Sequence, residues 1–228
     1  MKFSISTDHK ENMQGYSYLA FYQLILPTLI GLVVLLLGAA SSPSLHNTIF
    51  CVVNFVAVAV IFRKFLWQSV LALKKGWKRC LTSAAMALGI YFATTFLVSL
   101  IIPWIDPHFS NVNDDAILEQ TQQYGTLLRI CLVLLVPVVE ETLFRGLIFR
   151  HLYQKNHRLG YCVSMVVFSL IHIVGYIGIA DFRTLFLCFI QYLPAGYALA
   201  GAYERADNIC APILTHMTVN FIGLLLSR

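Results

Sequence analysis

The chain has 228 residues, 58% of them hydrophobic and 12% charged, with a mean hydropathy of +0.74. Soluble domains carry about 25% charged residues, so this composition excludes an ordinary water-soluble enzyme and points to an integral membrane protein. A formal net charge of +5 without a Lys/Arg run gives no reason to expect a nucleic-acid partner; the expected surroundings are the lipid bilayer.

Several apolar runs approach the roughly 20 residues a helix needs to cross hydrocarbon. They predict an all-α polytopic bundle of about seven spans. Residues 1–17 form a polar segment too long for a typical signal-peptide n-region and are expected in the cytoplasm. A first span covers about 18–40, with Pro27 as a kink, and SSPSLHN turns the chain. A second covers about 48–62 and runs into FRKFLWQSVLALKKGWKR, where Arg63, Lys64, Lys74, Lys75, Lys78 and Arg79 are six of the sixteen basic residues. The positive-inside rule makes that loop cytoplasmic.

A third span, about 81–102, ends before a loop holding Asp106, Asp114, Asp115 and Glu119 without a Lys or Arg, which is expected outside. The fourth span starts near Thr126 and emerges at Arg150, His151, Lys155, His157 and Arg158, a second basic cluster. Spans at about 161–180, 184–202 and 209–226 complete the bundle. Pro194 and Gly196 are expected to loosen the sixth or to let a neighbouring helix approach closely. The organisation is thus 1–17 as an N-terminal segment, 18–125 as an N-terminal membrane portion and 126–228 as a membrane core. The six scattered cysteines show no C-x-x-C spacing and read as small core residues. His9, His46, His108, His151 and His157 fall in predicted loops.

Charged groups inside an apolar span are costly unless paired or used, which singles out Glu140, Glu141 and Arg145 in LLVPVVEETLFRGLIFR. At 1.5 Å per residue, the two glutamates lie roughly 13 Å from the end near Arg150, and His172 roughly 17 Å from the end near Tyr161. His216 and Asn220 lie roughly 10 and 16 Å from the end near Ile209. Three helices therefore place their polar residues at one level. Glu141 and Arg145 are four apart and share a face, whereas Glu140 points about 140° away from the arginine. Arg145 is thus expected to pair with Glu141, leaving Glu140 free for proton chemistry. A purely structural Glu141–Arg145 pair and a helix-bonding His172 are the plain alternatives.

These residues carry a family resemblance. E-E-T-L-F-R at Glu140 to Arg145 resembles the E-E-x-x-x-R motif of the CPBP family, the CAAX-processing and bacteriocin-processing intramembrane proteases, also called Abi or type II CAAX prenyl endopeptidases. F-S-L-I-H at Phe168 to His172 is similar to its F-x-x-x-H motif, and H-M-T-V-N at His216 to Asn220 to its H-x-x-x-N motif. The order is the family's, and the resemblance covers about 126–226. It implies an intramembrane endopeptidase of the bacterial cell membrane, with a cavity open to the cytoplasm and a peptide or membrane-associated protein as substrate. Glu140 with His172 would activate water, His216 and Asn220 would stabilise the oxyanion, and Glu141 with Arg145 would position the site. Glu140, His172 and His216 are also candidate ligands of a divalent metal such as Zn2+, although no H-E-x-x-H is present. Family likeness also admits a bacteriocin self-immunity protein, acting by binding or by the same site, and intramembrane acids and histidines leave a proton-coupled transporter as a third class.

Overall fold

The computed structural model describes residues 3–36 and 43–226. The expected end of the first span, near Ala40, and the start of the turn after it lie outside the described residues. Helix α1 (His9–Leu24) begins at a capping box, in which the Asp8 side chain accepts from Glu11 N and the Glu11 side chain accepts from Asp8 N. Pro27 cannot donate to the preceding turn. The axis accordingly breaks there, and α2 (Leu26–Leu36) leaves at 57°. Helix α3 (Pro43–Ile61) is followed almost at once by α4 (Arg63–Ile105), which has 43 residues.

Helix α4 corrects one expectation: the basic stretch 62–79 is not a loop but the first half of a continuous helix. At 1.5 Å per residue α4 is about 65 Å long, about twice the hydrocarbon thickness. Its N-terminal half, with exposed Trp67 and Trp77 among the basic residues, therefore extends beyond the apolar layer that its second half can span. No residue of α4 caps its first turn. Glu11 of α1 does so instead, its Oε1 accepting from the Lys64 and Phe65 amides at 3.2 and 3.0 Å, groups that otherwise lack a helical partner.

The acidic stretch expected as a loop also folds, as α5 (Val112–Tyr124). Asn111 caps it, accepting from the Asn113 and Asp114 amides, and Asp114 and Asp115 sit where the helix dipole favours negative charge. Gly125 ends α5 with φ +80°, a backbone conformation that side chains resist. Helix α6 then runs unbroken through 126–155, wound as a π-helix over Cys131–Leu135 and Thr142–Phe149. Helix α7 (His157–Ile173) ends in a 3-10 turn, Val174–Tyr176, and α8 (Phe182–Ala206) and α9 (Cys210–Leu226) follow. Among the described residues the only β pairing is an isolated bridge.

Helices α4, α7 with its 3-10 turn, and α8 are long and apolar enough to cross a membrane, and α1 with α2 makes a fourth if the bent pair is one span. Helices α3 and α9 are apolar but shorter. Helix α8 is central, packed on α4, α7 and α9. Pro194 does not break it, and Gly196 lets α7 approach: a Cβ there would lie 2.7 Å from Met165 Cα. All six cysteines are free.

The two ends of the bundle differ. At one end the N-terminal segment crosses the helix termini. Phe3 stacks on Tyr203 at 4.5 Å, Ser4 N donates to Asp207, and Thr7 receives a hydrogen bond from Arg150. Phe3, Thr7 and Glu11 are buried, so the polar segment 1–17 packs against the protein. Glu204 accepts from the Tyr153 and Tyr161 hydroxyls at this end, with His157 3.5 Å away, and Arg79 Nε donates to Arg205 O. The basic residues 63–79 of α4, those at the end of α6 and the start of α7, and Arg205 of α8 lie at this end, whereas Arg129 and Arg183 lie at the other. At the other end, α5 is tied to α3 by Asn47–Gln120 and to α8 by Asn111–Gln191 and Asp114–Tyr192.

Candidate active site

Two residues of α6 begin the site. Glu141 is fully buried, as is Arg145 one turn on, and Arg145 Nη1 donates to Glu141 Oε1 at 2.9 Å. The guanidinium lies over the Phe168 ring, 4.3 Å from its centroid, and Nη2 reaches Gly196 O at 3.4 Å. Phe168 thus provides a π face for the cation, a contact to which charge pairing alone gave no clue.

Glu141 has a second partner. His216 Nδ1 lies 2.8 Å from the same Oε1. A carboxylate oxygen accepts, so this ring nitrogen carries the hydrogen. His216 is therefore oriented by Glu141, and Glu141 holds α6 to α9 as well as anchoring Arg145.

Asn220 is explained by the winding of α6. Over Cys131–Leu135 the Val136 amide donates to Cys131 O, five residues back. Leu132 O would then look to residue 137, which is a proline with no N–H. The carbonyl left over accepts from Asn220 Nδ2 at 2.9 Å. One widened turn, one proline and one asparagine thus fix α9 against the helix that carries the glutamates. Local widenings of this kind cluster at functional sites.

His172 of α7 bonds through Nδ1 to Phe168 O at 2.7 Å. A carbonyl only accepts, so Nδ1 carries the hydrogen and the neutral ring keeps its lone pair on Nε2. Tyr192 of α8 stacks on this imidazole, with centroids 4.3 Å apart and planes at 28°. The Tyr192 hydroxyl donates to Asp114 Oδ1 at 2.7 Å and accepts from Asn113 Nδ2 at 2.9 Å. The first turn of α5 therefore holds the ring that holds His172. Sequence reasoning missed this group; the Asn-Val-Asn-Asp-Asp run is a helix N-cap pattern that could have shown it.

Glu140, His172, His216 and Asn220 line one cavity of about 990 Å3, while Glu141 and Arg145 stand behind its wall. Glu140 is 8% exposed, and its Oε2 has no hydrogen-bond partner among the described residues. His46, expected in a solvated loop, lies in α3 and lines the cavity too.

Among the described residues no three of His, Cys, Asp and Glu are gathered so as to hold a metal. His172 and His216 are each oriented through Nδ1 by a protein acceptor. The cavity lining draws on all nine of the described helices, from Tyr22 of α1 and Pro27 of α2 to Tyr91 and Thr95 of α4, and includes none of Phe3, Phe62, Phe65, Phe149 or Tyr203.

Comparison with known proteins bears on what this arrangement belongs to. Residues 122–222 match the family model described as "Type II CAAX prenyl endopeptidase Rce1-like". The match covers less than half of the chain. This segment carries all six candidate residues. Over 109 residues the chain is 33% identical to "Putative membrane peptidase YdiL" of Bacillus subtilis (strain 168), covering 47% of this chain and 40% of that protein. Over 140 residues it is 26% identical to "UPF0177 protein YxdF" of Lactococcus lactis subsp. lactis (strain IL1403), covering 60% of this chain and 72% of that protein. No solved structure matches. The Rce1-like segment and the apolar helices make this an integral membrane protein.

Proposed function

We propose that the protein is an intramembrane endopeptidase that hydrolyses a peptide bond within the α6–α7–α9 cavity. The observation that carries this reading is the convergence of Glu140, His172, His216 and Asn220 on one cavity while Glu141 and Arg145 hold its wall. Glu140 is the base. It is buried, and Arg145, the cation one turn along its helix, goes to Glu141 instead.

In the reaction, water gives a proton to Glu140 as its oxygen bonds to the scissile carbonyl carbon, with the His172 Nε2 lone pair orienting the second water hydrogen. The carbonyl π electrons move to oxygen. Asn220 has one amide N–H beyond the bond to Leu132 O and directs it to this oxyanion. His216 donates from Nε2, which requires it to carry both ring protons, and Glu141 at Nδ1 is the group that stabilises that form. Each such donor is worth about 2.7–4 kcal/mol of transition-state stabilisation. On collapse the C–N bond breaks, and the amine leaves with the proton held by Glu140. In the same reading the chain crosses the membrane seven times, with its basic end in the cytoplasm.

The test uses full-length protein in lipid nanodiscs, incubated with a peptide library and with peptides ending in Cys-Ala-Ala-Leu, farnesylated and unmodified, and analysed by mass spectrometry. Wild type is expected to cleave at defined bonds. Glu140→Gln and His172→Gln should each lose about 100-fold or more, the scale of general acid–base catalysis. Cleavage by both folded variants at the wild-type rate would overturn the assignment.

A further inference from the structure

Two arginines at the basic end meet where the packed helices α4 and α8 leave the apolar layer. From Cys80 to Ile105 α4 has no charged residue, and from Thr184 to Tyr203 α8 has none. Arg79 on α4 and Glu204 and Arg205 on α8 therefore border the uncharged stretches, at the level where lipid headgroups lie. Trp77, two residues before Arg79, is exposed, and its ring is of the kind that favours this level. The two cations are held together but not neutralised. Arg79 Nε donates to Arg205 O at 2.6 Å, which sets its guanidinium against the end of α8. Among the described residues no ion pair includes either arginine. The carboxylates beside Arg205 in the sequence are already engaged: Glu204 accepts from the Tyr153 and Tyr161 hydroxyls, and Asp207 from the Ser4 amide.

The placement of Arg205 is the more telling. A long cationic side chain at a membrane border extends its stem so that the charged head reaches water. Arg205 does the reverse. Its guanidinium lies over Gly201, where a Cβ would come within 3.1 Å of Nη1 and 3.2 Å of Nη2. That is one turn, about 6 Å, back along α8 toward the apolar layer. Nε and Nη2 are buried there, without a hydrogen-bond partner among the described residues. Unpaired buried donors are costly, and more so on a charged group. The fold therefore turns these N–H groups toward an acceptor from outside the chain.

The chemistry of that acceptor follows from the donors. A planar guanidinium fork matches the paired oxygens of a phosphate, and a second guanidinium beside it adds further charge-assisted bonds. Basic pockets between spanning helices at the headgroup level are where acidic lipid headgroups settle. We propose that Arg79 and Arg205 form a binding site for the phosphate of an anionic phospholipid, at the border between α4 and α8. Gly201 is part of the site, because a side chain there would occupy the space into which the Arg205 guanidinium folds. None of these three residues lines the cavity, so the inference is independent of the peptidase reading.

Native mass spectrometry of the full-length protein in detergent tests the site, with dioleoylphosphatidylglycerol, dioleoylphosphatidylcholine and inorganic phosphate added separately and together. Wild type should bind its first phosphatidylglycerol about 10-fold more tightly than phosphatidylcholine, the worth of one charge-assisted contact. Arg79→Gln and Arg205→Gln should each remove most of that preference. Arg205→Lys keeps the charge but loses the fork, and should fall between Arg205→Gln and wild type. Lys74→Gln, at an exposed position of the same α4, should bind as wild type does. Equal affinity for the two lipids, or wild-type affinity for phosphatidylglycerol in both glutamine variants, overturns the site. Displacement of the lipid by millimolar inorganic phosphate overturns the lipid assignment in favour of a soluble anion. A second measurement covers variants that are themselves less stable. Replacing part of the phosphatidylcholine in nanodiscs by phosphatidylglycerol should raise the unfolding transition of wild type and of Lys74→Gln, because a ligand that binds the folded state stabilises it. The two glutamine variants should show no such rise, whatever their transition in phosphatidylcholine alone. A rise as large as that of wild type in both also overturns the proposal.

Discussion

Replacing Arg145 by methionine keeps most of the side-chain volume but leaves Glu141 buried with His216 as its one hydrogen-bonding partner. Both members of the pair are fully buried, 2.9 Å apart, so solvent cannot take over the lost interaction. Removing one partner of a buried pair costs about 3–5 kcal/mol, mostly because it strands the other charge. The contact with Phe168 at 4.3 Å and the bond to Gly196 O are lost too, which places Arg145→Met at the upper part of that range. Removing both charges in Glu141→Leu/Arg145→Met leaves no stranded carboxylate, and well-packed apolar replacements of buried pairs are often near neutral. The double variant should therefore be more stable than Arg145→Met alone, despite carrying more changes. Reversible SDS unfolding in mixed micelles, followed by tryptophan fluorescence, measures all three proteins. An Arg145→Met variant within about 1 kcal/mol of wild type, or a double variant less stable than the single, would refute the reasoning.

Other consequences are smaller and more local. Gly196→Ala places a Cβ 2.7 Å from Met165 Cα, a backbone atom that cannot swing aside, so it should destabilise the same unfolding transition by about 1–3 kcal/mol. Tyr192→Leu removes both the stack on His172 and the tether to Asn113 and Asp114. Hydrogen exchange in Val112–Tyr124 should speed by about 10-fold, as expected for losing hydrogen bonds worth about 1 kcal/mol each, and unchanged protection would detach α5 from α8. Acid should loosen the N-terminal segment first. The Glu11 amide, then the Lys64 ammonium, hold Asp8 below its ordinary 3.8. A lowered carboxylate contributes stability above that ordinary value and loses it as pH falls through the folded one. Protease cutting near residues 3–11 should thus rise as pH drops below about 4 and should be insensitive between pH 5 and 8.

Much of the site was legible because intramembrane charge is rare and helical spacing is regular. Glu141 and Arg145 four apart dictate a pair, and Glu140, one residue off that face, turns to the cavity as the spacing predicts. Partners reached across the fold were not legible. Nothing local shows that Glu141 also receives His216, or that Leu132 O needs Asn220, because each depends on how α9 lies against α6. The loops at 62–79 and 106–125 were misread for another reason. Charge was taken to mean turn, yet a helix longer than the bilayer is thick accommodates basic residues, and an acidic helix first turn is stabilised by its own dipole.

The pairing of adjacent glutamates follows from this geometry. Two neighbouring positions on a helix differ by about 100°, so one carboxylate can face the bundle interior while the next faces a cavity. The interior one is tolerable only with compensation, which Arg145 and His216 both deliver to a single oxygen of Glu141. That arrangement has a chemical consequence for the other glutamate. Because Arg145 is bonded to Glu141 behind the wall, no Lys or Arg pairs with Glu140 among the described residues. The cavity lining likewise holds Asp114 and Asp115 toward α5 but no Lys or Arg. Arg145, the cation one turn from Glu141 along α6, is thus committed to the wall and not to the base.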